Sequence, residues 1–270
     1  MSNSARRMVK NLIWLYKYVL EYLGSFFVIE GDLSRLVITV DVETAVDFCN
    51  WQPEAVALKH AEISRSAITE MIALTRQYNV PITWFCTGKT ILKNEQEPLN
   101  YFGDLIDGLT DSGVGHEIAS HTFSHPHCSK ISRQDFIQEM QKLKEAFVQR
   151  GLAFSSHAYP WNEVAYLEEL PKFSVQTVRI KEGLFPSVIS QPEKSIVNLV
   201  KQSLEGTPLS FWLIKFGLHI ARRKKACFVW LLHPENFYYQ QDKEIIKKVF
   251  DYAVYLRKKG ELKIITVKEI

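Results

Sequence analysis

Four cysteines, Cys49, Cys86, Cys128 and Cys227, are too few and too scattered for a disulfide framework, and no two form a Cys-x-x-Cys pair. Their usage points to reduced thiols in a cytosolic protein. A large excess of one sign of charge is lacking as well. A net charge of +3 excludes the strongly basic surface that nucleic acid demands. The local basic runs at Arg222-Arg223-Lys224-Lys225 and Arg257-Lys258-Lys259 read as solvated faces. Low-complexity tracts and internal repeats are absent. A secretion signal is also lacking: Arg6, Arg7 and Lys10 make a charged start, but Lys17 and Glu21 interrupt the apolar run, and no small-residue cleavage site follows. The reading that remains is a globular cytoplasmic protein.

What is present is an ordinary globular composition, 46% apolar and 23% charged over 270 residues, enough for one barrel-sized domain or two smaller ones. Apolar residues at Met8, Leu12, Leu15, Tyr16, Val19, Leu20 and Leu23 keep a helical period, with Gly24 as a cap. The spacing predicts an amphipathic helix within residues 1–30, packed on the domain or lying on a membrane surface. Residues 31–270 form the second unit. Continuous apolar runs predict strands at 36–41, 80–85, 113–119, 153–159, 226–232 and 262–267. Helical periods fall between them at 53–78, 99–111, 132–150, 163–170, 207–225 and 242–259, with Ser132 and Asp135 as a capping box. Between Phe173 and Gly206 the pattern is too weak to assign. Strands alternating with helices imply a parallel sheet, and one barrel-like domain is the simplest account.

Four of the eight histidines crowd into Gly115–Ser129: His116, His121, His125 and His127. Imidazole is the commonest neutral metal ligand, and His121 and His125 lie four residues apart just past a predicted strand. Pro126 pushes His125 out of the α region, toward a strand-end loop. The same position after other strands is also rich in chemistry. Asp41 and Glu43 follow the first strand, Tyr159-Pro160-Trp161-Asn162 the fourth, and His233-Pro234-Glu235-Asn236 a later one. In a parallel barrel all of these gather at the carboxyl-end face. Two histidines and a carboxylate leave open positions on a metal, as hydrolytic sites do. A second carboxylate can take a proton from water, and a third histidine can return one. In extended chain the alternation of Asp41-Val42-Glu43 points both carboxylates the same way.

These motifs together resemble the polysaccharide deacetylase family, also called NodB-homology or carbohydrate esterase family 4 proteins. Thr39-Val40-Asp41-Val42-Glu43 is similar to the family's first motif and His121-Thr122-Phe123-Ser124-His125-Pro126 to its second. Tyr159-Pro160-Trp161-Asn162 is similar to the third, and Leu231-Leu232-His233-Pro234 to the fifth. The resemblance implies a single-domain distorted (β/α) barrel of about seven parallel strands. It also implies a divalent ion, Zn2+ first and Co2+, Ni2+ or Mn2+ as alternatives, and removal of an N-acyl group from an amino sugar. Glu43, His121 and His125 would hold the metal, with Asp41 as general base and His233 as general acid. Tyr159, Pro160, Trp161, Asn162 and Trp230 are the expected substrate-binding residues, their aromatic rings offering a wall for a sugar.

One departure stands out. The family's third motif normally supplies an arginine to pair with the catalytic aspartate, but His157 and Trp161 occupy the near positions here. Arg179 is a candidate substitute that the sequence alone does not place. Two other readings therefore stay open: a carbon–nitrogen hydrolase acting on a non-sugar amide, and an impaired relative acting as a carbohydrate-binding module. Expected partners are an N-acylated amino sugar or glycan, including lipid-linked forms, and no nucleic acid. The expected location is cytoplasmic, with peripheral contact at the inner membrane face. Two segments suit that contact: the helix near Met8 to Leu23, and Leu209 to Lys225, where Phe211, Trp212, Ile214 and Phe216 lead into basic residues.

Overall fold

The computed structural model describes residues 12, 13, 16, 34–43, 53–92, 102–179, 208–225 and 227–270. The expected N-terminal helix lies outside these residues except at Leu12, Ile13 and Tyr16, which are helical and exposed.

A seven-stranded sheet carries the chain. Its strands are β1 (Arg35–Val42), β2 (Thr83–Cys86), β3 (Glu117–Ser120), β4 (Ser156–Ala158), β5 (Thr177–Arg179), β6 (Cys227–Leu232) and β7 (Lys263–Ile265). The order is β5-β4-β3-β2-β1-β6, with β7 also pairing with β1, and all pairings are parallel. The helices are α1 (Glu54–Tyr78), α2 (Gly88–Ile91), α3 (Gly103–Thr110), α4 (Arg133–Gln149), α5 (Pro208–Lys224) and α6 (Gln240–Lys258). The expected barrel-like parallel sheet is thus present.

β1 forms as a strand because branched apolar residues alternate on a surface buried on both sides. Leu36, Ile38, Val40 and Val42 face outward into the main core, with Trp84 and Cys86 of β2 and the helices packed over them. Val37 faces inward, joining Phe85, Ala119, Ala158, Val229 and Val267 in a small inner cluster. The period of two then fixes the rest: Thr39 and Asp41 continue the inward side of β1 toward its carboxyl end. At the opposite end of the interior Glu117 is buried, accepting from Thr83 Oγ1 at 2.9 Å and from the Lys268 amide at 3.0 Å. The interior is plugged there, so its open mouth lies where the strands end.

Two stretches depart from expectation. β5 lies in the region too weakly patterned to assign; it is only three residues long. Residues 163–170 do not form an α-helix. A 3-10 segment, Leu167–Phe173, starts after Tyr166 takes a left-handed φ of 51°.

Candidate metal centre

Glu43, His121 and His125 converge at the mouth. One ligand atom from each can be chosen so that all lie within 4.8 Å of one another. Glu43 Oε1 stands 3.1 Å from His125 Nε2 and 3.9 Å from His121 Nε2. Both histidines are buried. His121 Nδ1 meets the Ala158 carbonyl at 2.8 Å, and because a carbonyl only accepts, Nδ1 carries the proton. The Nε2 lone pair is thereby aimed at the cluster, where it is buried with no hydrogen-bond partner among the described residues. A carboxylate and two imidazoles, one with its outer nitrogen already anchored, fit a divalent ion such as zinc. Burial alone would raise the Glu43 pKa. The neighbouring imidazoles of His121, His125 and His233 outweigh it and hold the carboxyl well below the ordinary value.

Asp41 sits beside this cluster. Arg179 grips it at two points, Nη1 to Oδ1 at 2.6 Å and Nη2 to Oδ2 at 2.6 Å, while Nη1 also donates to Thr39 Oγ1 at 3.0 Å. The guanidinium carbon lies 4.7 Å from the centre of the Phe85 ring. Burial opposes ionisation of Asp41, but Arg179, His121 and His233 outweigh it and bring the pKa down to about 2. The cation expected after β4 therefore comes from β5. Register explains the exchange: Ala158, inward-facing, is paired with Arg179 on the adjacent strand, so a small residue on β4 leaves room for the long side chain next to it.

The loop holding both histidines is tightly pinned. Thr122 and His125 adopt φ values of 62° and 58°, a region that β-branched and bulky residues seldom enter. Gly88 N donates to Thr122 O at 3.0 Å and Lys89 N to Phe123 O at 3.2 Å. A Cβ on Gly88 would lie 2.2 Å from Phe123 Cδ2, so only glycine lets the two loops close. From the other side, α4 sends Glu139 to the amides of Phe123 and Ser124.

His233 follows β6 and is close enough to Asp41 and Glu43 to lower the pKa of each. Its amide donates to Asn236 Oδ1 at 2.8 Å, and its carbonyl accepts from Asn236 N at 3.0 Å. The turn Pro234–Phe237 is tethered to α1 through Ser64 Oγ and Glu235 at 2.9 Å.

The expected substrate-binding residues divide. Trp161 stands over the site, 39% exposed, with its ring 5.2 Å from that of His125 and stacked on His127 at 4.8 Å. His127 in turn contacts Glu163 through Nδ1 at 3.0 Å. Trp161 and Asn162 both take positive φ, 57° and 55°, which turns the chain sharply at the rim. Tyr159 and Trp230 do not face the site. Both belong to the outward core beneath the helices, and the Tyr159 hydroxyl donates to Ala165 O at 2.8 Å. Pro160 is buried as the first residue of the 3-10 turn. Period-two alternation puts Tyr159 on the outward side with His157, away from Ala158. Among the residues that sequence did not assign to the site, Glu139 gave no local signal, since one glutamate in an amphipathic helix resembles any other.

The family model for polysaccharide deacetylase matches residues 52–161. That span includes His121, His125 and Trp161 but not Asp41, Glu43, Arg179 or His233, which the fold adds. No curated protein matches the chain in sequence. Among solved structures, a Mycobacterium smegmatis protein described as a polysaccharide deacetylase superposes with a TM-score of 0.64 at 13% identity, covering 90% of this chain and 91% of that one. A peptidoglycan N-acetylglucosamine deacetylase gives 0.53 at 17% identity, covering 90% of each chain. A family 4 pseudoenzyme from Bacillus anthracis gives 0.53 at 12% identity, covering 89% of this chain and 66% of that one. The resemblance read from the motifs is borne out, in sequence over residues 52–161 and in fold over nine-tenths of the chain.

Proposed function

We propose that this protein is a metal-dependent hydrolase that removes an N-acyl group, an acetyl group first among candidates, from an amino sugar in glycan or glycolipid biosynthesis. The reading rests above all on one observation: a buried carboxylate held ionised by Arg179 stands beside a Glu–His–His cluster in a single barrel mouth. Glu43, His121 and His125 would hold the ion, zinc or one of Co2+, Ni2+ and Mn2+. When bound, it supplies Lewis acidity toward the acyl carbonyl and makes water easier to deprotonate. Asp41, anionic and oriented at two points, accepts the proton of the attacking water. His233, on the other side of the site, protonates the departing amine. Trp161 offers its ring as a wall against the sugar.

The relationship to a pseudoenzyme makes the alternative concrete, a binding module without turnover. The two-point Asp41–Arg179 pair favours the active reading, because it restores the cation that the third motif lacks. The test is acetate release from N-acetylated amino sugars, with a non-sugar amide panel alongside, by zinc-loaded wild type and by Asp41→Asn. Release by the wild type alone supports the proposal. Release only from non-sugar amides transfers it to that class, and none from any substrate leaves the binding module.

A lipid-linked substrate at the inner membrane face, with the enzyme in the cytoplasm, is the finer reading. It draws support from a ridge on α5 and α6. Trp212 is 60% exposed, Lys215 Nζ lies 5.1 Å from the ring centres of Trp212 and Tyr252, and Lys259 Nζ lies 4.6 Å from that of Tyr255. No acidic residue occurs in α5. Aromatic rings interleaved with cations suit an anionic bilayer. Among the described residues no helix is long and apolar enough to cross a membrane, so contact there would be peripheral. Flotation with anionic vesicles at low salt, lost in Trp212→Ala and Lys259→Glu, is the expected result. Indifference of the wild type to such vesicles removes the membrane contact and leaves a soluble substrate.

A further inference from the structure

We propose that Glu139, on α4 and outside every motif, is the positioning residue that sets the metal-binding geometry of His121 and His125; the proposal rests on the metal reading of the site. Its carboxylate is engaged by two of the three residues between those histidines, Phe123 and Ser124. Oε2 accepts from the amides of Phe123 at 3.1 Å and Ser124 at 2.8 Å, and Oε1 accepts from Ser124 Oγ at 2.8 Å. The two residues flanking that pair, Thr122 and His125, are the ones with left-handed φ. Such backbone persists only where its surroundings hold it.

The loop is held from two sides. Its carbonyls, Thr122 O and Phe123 O, are held by the amides of Gly88 and Lys89, and its amides are held by Glu139. The carbonyl side is held by backbone donors, whereas the amide side depends on one side chain. Without that acceptor two amides and a hydroxyl lose their partner, and the turn can relax toward ordinary φ. His125 lies directly after the pinned pair, so relaxation would swing its ring away from Glu43 while His121 stays anchored to the Ala158 carbonyl. Glu139 acts through the loop, by its bonds to Phe123 and Ser124.

The experiment is zinc affinity, measured by competition with a chromogenic chelator, for wild type, Glu139→Ala, Glu139→Gln and Glu145→Ala. Glu145 is exposed on the same helix and controls for loss of a negative charge. Glu139→Ala should bind zinc ~10–100-fold more weakly, the range found when supporting residues of metal ligands are removed. Glu139→Gln keeps one acceptor oxygen and should fall between, and Glu145→Ala should match wild type. Thermal melts of the metal-free proteins separate the role from simple stabilisation, since a scaffold residue would lower the melt and leave the affinity of folded protein unchanged. Should Glu139→Ala fail to fold, Glu139→Gln carries the test, and an affinity within twofold of wild type overturns the proposal. If the wild type binds none of zinc, cobalt, nickel or manganese, the metal reading itself falls and this inference with it. Tight wild-type binding with an unaffected Glu139→Ala sinks the Glu139 role alone.

Discussion

Asp41 on β1 and Arg179 on β5 lie 138 residues apart, and the sheet order sets three strands between them, yet the guanidinium meets both carboxylate oxygens at 2.6 Å. The pair spans the interior, so it exists only because the sheet curls. Its two members are buried, and removing one leaves an uncompensated charge. Arg179→Met should lower stability by about 3–5 kcal/mol on that precedent. Asp41 has a pKa of about 2 in the fold against 3.8 unfolded, so its contribution is fully present above 3.8 and is lost as pH falls through about 2. In Arg179→Met the opposing effect of burial gains weight and the Asp41 pKa rises. The acid limb of any activity should then move to higher pH. Denaturant titrations and a pH–rate profile check both statements, and an unchanged midpoint with an unchanged profile would contradict them.

Metal content should follow the ligand geometry. Wild type should carry about one divalent ion per chain, as a single open cluster implies. His121→Ala or His125→Ala should strip it. His127→Ala should keep it, because that ring is committed to Glu163 and Trp161 at the rim. Elemental analysis of the three variants, purified in parallel, distinguishes them; equal content in all would remove the site as described.

The roles of Asp41 and Glu43 separate in the same assay. Asp41→Asn should retain the ion and lose activity, since Asp41 is tied to Arg179 and the ligand set is untouched. His233→Ala should retain the ion and slow turnover by ~100-fold or more, as loss of a general acid does. Metal loss in Asp41→Asn would exchange the roles assigned to Asp41 and Glu43.

The legible parts of this molecule were those whose physics is local. Apolar runs such as Leu36–Val40 announced buried strands, Ser132 announced the start of α4 by accepting from the Asp135 amide, and histidine spacing announced the cluster. What stayed hidden depends on distant partners. β5 is three residues long, too short for a period to register, and its arginine has meaning only across the curled interior. Tyr159 and Trp230 looked like a sugar wall because they stand near strand ends. Which side of the sheet each ring takes is a question of parity, and both took the helix side. Glu139 is a glutamate on a helix until the loop it holds is seen.

The remaining histidine of the cluster, His116, predicts how the fold responds to acid. Thr75 Oγ1 donates to Ile72 O at 2.9 Å, so at 3.2 Å from His116 Nε2 it accepts, and that nitrogen carries the ring proton. Nδ1 accepts from the Ile82 amide at 3.1 Å. Protonating Nδ1 would set two N–H groups against each other. Burial first, and the charge of Arg76 as well, lower its pKa to about 4. A histidine whose folded pKa is depressed contributes stability that is whole above its unfolded value of 6.5. That stability is lost as pH falls from there toward about 4, because the unfolded chain takes up the proton first. The slope in this window is about 1.4 kcal/mol per pH unit for one such group. His157, buried and lowered in the same direction by burial, His121 and Arg179, should steepen it. Urea titrations between pH 4.5 and 7.5 should therefore show stability declining toward acid. In His116→Gln the slope should fall by the equivalent of one proton. A variant as acid-sensitive as wild type would mean that His116 titrates alike in the folded and unfolded chain.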